Sequence, residues 1–596
     1  MLAYDPPLAD YAFLLHQVLA VETRRDLPGY GDLSPDFTAA VLGEAGRLVV
    51  NELLPLNLSG DAEGCTFADG AVRTPRGFKE AYGKLVDGGW IGLSGSAEYG
   101  GQGLPGILSA AVSEFLVSAN MGFSGYVDLT QAAARTLWVH GTADQKARYL
   151  GPLTTGAWGG AMALTEPQAG TDLGLLRCRA EAAGDGTYRI TGSKLFITAA
   201  DHDLTDNIVV LTLARLPGGP PGTRGLSLFL VPRFPVAADG TLGPRNAMTT
   251  VSLEHKMGVR ASATCALAFE GAVGELIGGE HEGLARMFTM MNDTRLGVGM
   301  QGLAIAEVAY QNALAYARDR RQGRAPGDHA PAAGGADPIV RHPDVRRMLL
   351  RIKSFTGAAR ALALWTAVQI DTADGHPDPA ARREAEDLVA LMTPVIKAHF
   401  TDMGSAAANL ALQCYGGHGY IREWGVEQLV RDVRITQIYE GTNGVQALDL
   451  VGRKLRQDNE RAPRLFLARV ADTCAAAGAG PARELVTDLA AMADTLGRAT
   501  DWIVAQDRVR AAAAATDYLG LFARVALAWS WVRIVMAAGT AAAAGTLDAA
   551  RAGDRARTAA HYLALARPEA EMLAARCRRC VDLPDLADFR VDGDAA

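Results

Sequence analysis

One acidic side chain, Glu440, has neighbours that would suit proton transfer. It lies in the string IYEGTN at residues 438–443, where Gly441 permits an unusual backbone dihedral angle or a close approach. Desolvation raises the pKa of a buried carboxyl group towards the range that is useful for a general base. Such a base could remove the proton alpha to a carbonyl group. The alternative is a structural role, since the helix dipole favours a glutamate before a helix.

Four further strings accompany Glu440 along the chain. They are LTEPQAGTD at residues 164–172, GSKLFIT at 192–198, NDTR at 292–295 and YGGHGY at 415–420. Together and in this order, they resemble the flavin-binding and catalytic-base signatures of the acyl-CoA dehydrogenase family. The resemblance covers about residues 4–453. It is nearest to the larger bacterial-type subgroup that includes fatty-acyl and 3-methylthiopropanoyl-CoA dehydrogenases and carries an added C-terminal domain.

The resemblance implies an FAD-dependent dehydrogenation of the kind used in beta-oxidation of fatty acids. Glu440 would remove the alpha proton of an acyl-CoA while a hydride leaves the beta carbon for the flavin, giving a 2,3-enoyl-CoA. The backbone N–H of Glu440 and a ribityl hydroxyl of FAD would hold the thioester oxygen. Some relatives have their catalytic glutamate at position 294, and Thr294 here favours Glu440 as the base. Residues matched to the substrate are Arg295, Tyr439 and Gly441.

The resemblance also assigns residues to the cofactor. Phe196 stands where many relatives have tryptophan, which keeps an aromatic wall beside the flavin but loses an indole N–H. The residues matched to FAD are Leu164, Thr165, Thr171, Phe196, Thr198, Arg320, Gln413, Gly416, Gly417 and Thr442.

Part of this cofactor set implies an oligomer. Arg320, Gln413 and the two glycines resemble residues that bind the adenine dinucleotide portion of FAD from a neighbouring subunit, since a guanidinium suits a pyrophosphate. A homodimer or homotetramer is therefore expected. Because the string RRQG at 320–323 is short, Arg321 is an alternative to Arg320. Electron-transferring flavoprotein is the implied electron acceptor.

Two other functions share parts of the pattern. An acyl-CoA oxidase would use the same base and flavin but pass electrons to oxygen. A non-catalytic, flavin-containing binding protein would keep the fold without turnover, although Glu440 is intact and no basic terminal domain is apparent. His140 and His418 are interpreted as packed or solvated residues, and Glu423 and Glu427 as scaffold partners of Arg431.

Composition narrows the class of protein. The 596 residues, 49% hydrophobic and 21% charged, predict a globular chain that is too long for one core. The net charge of -8 without a basic tract argues against nucleic-acid partners.

The start MLAYDPP lacks a signal-like segment, so we expect a cytoplasmic protein. Seven scattered cysteines suit a reducing compartment, and the CRRC string at 577–580 is interpreted as chance spacing with no metal.

Periodicity predicts a mainly α fold with a central β-domain resembling a barrel. The expected domains are an N-terminal α-helical domain at 1–156, the β-domain at 157–283, a four-helix bundle carrying Glu440 at 284–461, and a C-terminal helical domain at 462–596. The breaker-rich segment 323–337 predicts a surface loop. Because charged residues interrupt residues 511–547, a buried helix pair is expected there rather than a membrane span.

Overall fold

The computed structural model describes residues 2–327, 335–477, 482–579 and 582–583. Its first 156 residues are mainly helical. The helices are α1 (Leu8–Phe13), α2 (Pro35–Leu48), α3 (Pro55–Glu63), α4 (Phe78–Asp87), α5 (Gly106–Ala119), α6 (Met121–His140), α7 (Ala143–Gln145) and α8 (Gly151–Thr155). A small antiparallel hairpin, β1 (Thr66–Ala68) with β2 (Ala71–Arg73), interrupts them. Helix α6 begins where the Asn120 side chain accepts a hydrogen bond from the Phe123 N–H, an N-cap arrangement.

A seven-stranded sheet follows. Its strands are β3 (Gly159–Ala163), β4 (Arg179–Ala182), β5 (Tyr188–Thr198), β6 (Ile208–Arg215), β7 (Leu226–Pro232), β8 (Met248–Leu253) and β9 (Thr264–Ile277). Pairing runs from β6 through β4, β5, β9 and β7 and returns to β6, while β3 and β8 pair outside this circuit. Every residue of β7 is buried, as expected for a strand covered on both faces. The closed circuit confirms the barrel-like character of the predicted β-domain.

Long helices occupy the next part of the chain. They are α9 (Gly283–Asp319), α10 (Pro343–Gly375) and α11 (Pro379–Tyr415), followed by the shorter α12 (Val426–Val433) and α13 (Asn443–Asp449). A side chain at Gly404 of α11 would meet the backbone of Gly302 in α9, since an ideal Cβ would lie 2.5 Å from the Gly302 carbonyl oxygen. The missing side chain therefore lets these two helices approach closely. Part of the predicted 323–337 loop, residues 328–334, lies outside the described residues.

Four helices complete the described chain: α14 (Arg461–Ala477), α15 (Arg483–Val504), α16 (Arg508–Ala543) and α17 (Ala549–Arg579). The expected helix pair at 511–547 is wrong, because α16 is one continuous helix of 36 residues that ends at Ala543; its many alanines favour an unbroken helix. It is long and apolar enough to cross a membrane, but 78% of its apolar window is buried inside the protein, which is also typical of a core helix. Cys580 and the string GAGP at 478–481, whose glycines and proline predict a break between helices, lie outside the described residues.

The chain forms two compact units. The first contains residues 1–12, 21–349 and 401–440, and thus the β-domain, the N-terminal helices and Glu440. The second contains residues 13–20, 350–400 and 441–596. In the second unit the indole N–H of Trp531 in α16 donates to the Ser354 carbonyl in α10 at 2.8 Å. The mainly α fold with a central β-domain is confirmed, and the predicted domain boundaries stay a prediction.

Candidate active site

The backbone at Glu440 is held in an unusual conformation. Its φ angle is +58° and that of the next residue, Gly441, is +85°. A left-handed conformation at a residue other than glycine costs on the order of 1–3 kcal/mol and persists only where its surroundings hold it. Here the Arg295 Nε–H donates to the Glu440 carbonyl oxygen at 3.2 Å, and Arg295 is only 7% exposed. A buried guanidinium thus fixes the turn that aims the carboxylate.

The Glu440 carboxylate contacts helix α9 through Thr294. The Thr294 hydroxyl oxygen lies 3.0 Å from Glu440 Oε2 and 3.1 Å from the Met291 carbonyl oxygen. A hydroxyl has one proton to donate and can also accept one. It can donate to an ionised Glu440, and it can accept from a protonated Glu440 while donating to Met291. The same contact therefore accommodates the carboxyl group before and after it takes up a proton.

Tyr439, the predicted substrate residue before Glu440, is anchored to the same helix. Its hydroxyl donates to Gln301 Oε1, and burial raises the pKa of the phenol, with a smaller contribution from the Glu440 charge. Tyr439 therefore stays neutral at physiological pH. Residues 294 and 301 are seven apart, so they lie on one face of α9, about 10 Å apart along its axis.

A buried ion pair holds the predicted flavin-binding loop at residues 164–172. Lys194 Nζ lies 3.0 Å from Glu166 Oε1 and donates to the Leu164 carbonyl at 2.8 Å. Glu166 also accepts from the backbone N–H groups of Arg177 and Cys178 at 2.7 and 2.9 Å. These partners offset the burial penalty and leave the pKa of Glu166 below its usual value, whereas burial lowers the pKa of Lys194. Fully partnered charges of this kind fix one conformation of the loop.

Next to this pair, strand β5 presents Phe196. The pairing of β5 with β9 is irregular between Lys194 and Ile197, and Phe196 has a φ of +61°. Phe196 is 58% exposed, which is unusual for a large aromatic residue. Thr198 is half-buried and Thr171 is exposed. The exposed Phe196 ring could lie against a planar ring system, and the hydroxyls of Thr171 and Thr198 could hydrogen-bond to its polar edges. These residues therefore suit a flavin.

The residues predicted to contact FAD from a neighbouring subunit lie at adjoining helix ends. Tyr316, one turn before Arg320 in α9, stacks on Tyr415 at the end of α11 with ring centroids 4.1 Å apart. Arg320, Arg321, Gln413, Gly416 and Gly417 are all exposed. A Cβ added at either glycine would meet nothing within 4 Å, so both backbones are open to a ligand.

Gly441 and Thr442 begin the last segment of the second unit. Within that unit Lys397 Nζ donates to the Gly441 carbonyl at 2.7 Å and to Asn443 Oδ1 at 3.0 Å. The Thr442 hydroxyl accepts from the Val445 N–H at 3.3 Å and so caps α13. The predicted cofactor role of Thr442 stays a prediction.

Sequence reasoning missed several residues at the site. Glu166 and Lys194 stand inside the recognised strings, but neither their burial nor their pairing is visible there. Gln301 lies outside all the strings, and no sequence signal singled it out. The substrate role predicted for Arg295 stays a prediction, since its contact with Glu440 is one of positioning.

The residues interpreted as non-catalytic have other partners. His140 Nε2 lies 2.7 Å from the Thr289 hydroxyl, and His418 Nδ1 lies 2.9 Å from the Tyr316 hydroxyl. Arg431 pairs with Glu427 and also with Asp61. Glu423 lies in the preceding turn, Arg422–Trp424, rather than on the helix of Arg431. In the described part of the chain no three His, Cys, Asp or Glu side chains group as a metal site would need.

Comparison with known protein families accounts for most of the chain. Four family models match: the acyl-CoA dehydrogenase N-terminal domain at 61–157, middle domain at 161–272 and C-terminal domain at 281–455, and the acetyl-CoA dehydrogenase C-terminal-like domain at 466–582.

Individual relatives agree with these models. The chain is 42% identical to the 3-methylmercaptopropionyl-CoA dehydrogenase of Ruegeria pomeroyi, over 93% of each chain. It is 34% identical to a broad-specificity linear acyl-CoA dehydrogenase of Mycobacterium tuberculosis, over 76% of each chain.

Solved structures support the fold. An acyl-CoA dehydrogenase from Bacillus anthracis, complexed with FAD, superposes with a TM-score of 0.75 at 20% identity, over 94% of this chain and 91% of the other. The matched models include the added C-terminal domain that the sequence predicted, and the high identity extends over nearly the whole length. This chain therefore belongs to the acyl-CoA dehydrogenase family and is an FAD-dependent oxidoreductase.

Proposed function

We propose that this protein oxidises an acyl-CoA thioester to the 2,3-enoyl-CoA with Glu440 as the general base. The observation that carries the proposal is the arrangement around Glu440. Glu440 has a left-handed backbone, and its carbonyl oxygen accepts a hydrogen bond from the Arg295 guanidinium. Its carboxylate contacts the Thr294 hydroxyl. Together these contacts hold the carboxylate in one orientation for removing a proton from the substrate. Structural glutamates at helix starts need neither the strained backbone nor the buried arginine.

The residues of this chain divide the work. Glu440 takes the proton from the alpha carbon, and its backbone N–H donates to the thioester oxygen, whose negative charge grows as the proton leaves. Thr294 accepts a hydrogen bond from the newly protonated carboxyl group. When bound, FAD supplies a two-electron acceptor for the hydride of the beta carbon. Leu164, Thr165, Phe196 and Thr198 would hold the flavin, with Lys194 and Glu166 keeping the loop in position.

The proposed substrate class follows the relative from Ruegeria pomeroyi. That protein is named as a 3-methylmercaptopropionyl-CoA dehydrogenase and shares 42% identity over 93% of its length. Relatives named for linear or butyryl substrates share 34% over 76% of theirs. A short acyl-CoA with a thioether in its chain is therefore the substrate we propose.

The test is the flavin spectrum of the purified protein under anaerobic conditions. Addition of 3-methylmercaptopropionyl-CoA should bleach the flavin of the natural protein. Glu440→Gln should retain FAD and bind the thioester but reduce the flavin more slowly, on the order of 10² to 10⁴-fold, since it lacks the general base. Glu423→Gln, which changes an exposed glutamate, is the matched control and should behave as the natural protein. Reduction at the natural rate in Glu440→Gln would remove Glu440 from the mechanism.

The electron acceptor is tested with the reduced protein. We propose electron-transferring flavoprotein as the acceptor, so mixing the two should restore the yellow flavin quickly while air restores it slowly. Rapid reoxidation by oxygen with formation of peroxide would identify an oxidase. Retained flavin that no thioester bleaches would favour the non-catalytic binding protein.

We also propose a homodimer or homotetramer in the cytoplasm. Support comes from Arg320, Gln413, Gly416 and Gly417, which are exposed at adjoining helix ends, as residues reserved for a neighbouring subunit's FAD would be. Mass measurement by light scattering tests the oligomer. Gly416→Trp should lower the FAD content, and a monomer with full FAD content would contradict the proposal.

A further inference from the structure

Lys397 is a buried lysine in α11 to which the mechanism above gives no part. Its side chain is 0% exposed. Lysine is among the residues least often buried, because an ammonium group that loses its water must find hydrogen-bond acceptors inside the protein. An apolar side chain would serve helix packing without this cost. The burial of an ammonium group here therefore indicates that its hydrogen bonds do more than fill space.

The acceptors of Lys397 lie directly after the proposed base. Its Nζ donates to the Gly441 carbonyl oxygen at 2.7 Å and to Asn443 Oδ1 at 3.0 Å. The shorter of these has the length typical of a hydrogen bond from a charged donor, which is stronger than one between neutral groups. Gln446 Nε2 also approaches the Gly441 carbonyl oxygen, but at 3.4 Å, which is long for a hydrogen bond. Lys397 is therefore the stronger of these two donors.

A further contact holds the same segment against α11. Asn443 Nδ2 donates to the carbonyl oxygen of Ala398, the residue after Lys397, at 3.1 Å. The Asn443 amide thus accepts from one residue of α11 and donates to the next. Three hydrogen bonds within the second compact unit join residues 441–443 to one turn of this helix. The backbone that follows Glu440 is thereby fixed to a helix of 37 residues.

Gly441 is where this fixing has the largest effect. Glycine rotates more freely than any other residue, and Gly441 has a φ of +85°. The peptide group before it carries the Glu440 carbonyl oxygen, which accepts from Arg295 at 3.2 Å. The peptide group after it carries the Gly441 carbonyl oxygen, which Lys397 holds. Rotation about the backbone bonds of Gly441 would therefore break one of these hydrogen bonds.

We propose that Lys397 is a positioning residue that fixes the direction of the Glu440 carboxylate through the Gly441 carbonyl. This inference rests on the proposed function, because it concerns the base of the same reaction. Without the ammonium group, Gly441 rotates and the carboxylate spends less time in the direction from which it removes the proton. A displacement of about 1 Å slows a reaction on the order of 10²-fold. The loss falls on the chemical step rather than on binding of the thioester.

The experiment follows flavin bleaching after rapid anaerobic mixing with a thioester that bleaches the natural protein, expected to be 3-methylmercaptopropionyl-CoA. The rate at saturating thioester and the thioester concentration that gives half of this rate are measured separately. Lys397→Met keeps an unbranched side chain but has no N–H to donate. We expect it to lower the saturating rate roughly tenfold to hundredfold, while the half-saturating concentration changes by less than about twofold.

Two further variants distinguish positioning from a general loss of stability. Asn443→Ala removes one acceptor of Lys397 but leaves the Gly441 carbonyl in place, so it should keep most of the rate. Trp531→Ala removes a donor to the Ser354 carbonyl in α10 of the same unit. It should lower the free energy of unfolding but leave the bleaching rate of the folded protein unchanged. FAD content and urea unfolding are measured for each variant.

The outcomes separate the two proposals. The natural rate in Lys397→Met, or an equal loss of rate in Asn443→Ala or Trp531→Ala, would overturn the role of Lys397 and leave Glu440 as the base. Failure of every thioester to bleach the natural protein would instead overturn the proposed function. If Lys397→Met does not fold, Lys397→Gln decides. Its side chain is polar but one atom shorter, so its rate should also fall, and the natural rate in this variant would end the proposal.

Discussion

At the scale of single residues, the site depends on side chains whose protonation and hydrogen bonds are set by neighbours far away in the chain. Glu440 and Thr294 are separated by 146 positions and meet at 3.0 Å. Arg295, adjacent to Thr294, holds the Glu440 carbonyl. One turn of α9 therefore supports both the backbone and the carboxylate of the proposed base.

Thr294 can be tested by removing only its hydroxyl. Thr294→Val keeps the shape of the side chain but loses the contact with Glu440 Oε2, and a hydrogen bond to a charged group contributes about 1.5–3 kcal/mol. We expect the rate of flavin reduction to fall by roughly tenfold or more while FAD content is unchanged. Thr294→Ser restores the hydroxyl and should restore most of the rate. Equal rates in the valine and natural proteins would show that this contact does not assist the base.

Asp128 gives a prediction on pH and stability. Asp128 lies in α6, and burial raises the pKa of its carboxyl group from 3.8 to about 7. Between these two pH values the carboxyl group is ionised in the unfolded chain but protonated in the folded chain. Protonation of Asp128 therefore favours the folded state. The stabilisation is complete below about pH 4 and is lost as the pH rises through about 7.

Asp128→Asn removes this titration. We compare the change in the free energy of unfolding that Asp128→Asn causes at pH 8 with the change that it causes at pH 4. The change should be more stabilising at pH 8, by up to a few kcal/mol, since each unit of pKa shift is about 1.4 kcal/mol. Urea unfolding of both proteins at the two pH values provides the measurement. An identical effect at both would mean that the folded-state pKa of Asp128 is ordinary.

At the scale of elements, the irregular part of β5 and the loop 164–172 form one assembly. Lys194 joins them from the strand, while Glu166 accepts from the backbone beyond the loop. The loop has little regular structure of its own, so its conformation depends on this ion pair. Backbone carbonyls such as that of Leu164, which Lys194 also contacts, are thereby held in fixed directions.

Replacement of Lys194 tests this assembly. Lys194→Met should weaken FAD binding by at least about tenfold, ~1.4 kcal/mol, and should lower the free energy of unfolding by about 3–5 kcal/mol because Glu166 is left buried and unpaired. The double variant Lys194→Met with Glu166→Leu removes both charges and should recover stability but not FAD affinity. FAD titration and urea unfolding measure the two effects. Recovery of affinity together with stability would show that the pair acts on folding alone.

At the scale of the whole molecule, the C-terminal helices share a core with earlier parts of the chain. The second compact unit combines residues 350–400 with 441–596. Trp529 meets Trp365 edge to face with ring centroids 5.0 Å apart, and the ring of Trp531 lies over Gly357, whose ideal Cβ would be 2.8 Å from Trp531 Cη2. These contacts join α16 to α10 closely.

Trp531→Ala tests the shared core. The substitution leaves a cavity and removes the indole N–H that donates to the Ser354 carbonyl oxygen. We therefore expect a loss of about 3–5 kcal/mol in the free energy of unfolding. Leu565→Ala, which changes a 43% exposed residue in α17, is the control and should cost less than about 0.5 kcal/mol. A small effect of Trp531→Ala would mean that the C-terminal helices fold independently of α10.

The sequence by itself determined the helix and strand classes, the family resemblance and the residues of the recognised strings. Periodicity predicts which residues of one element share a face, and short strings preserve local chemistry, so Glu440, Phe196 and the β-domain were within its reach. The helix pair expected at 511–547 was wrong because the charged residues within this segment interrupt its apolar character but do not interrupt the helix.

Only the tertiary structure decided which distant groups meet and which lose their water. The Thr294 contact with Glu440, the burial of Lys194 with Glu166 and the orphaned oxygen of Asp128 each depend on packing between segments that are separate in the chain. Local patterns cannot encode these contacts, because desolvation and hydrogen-bond distance are properties of the folded arrangement and not of spacing along the chain.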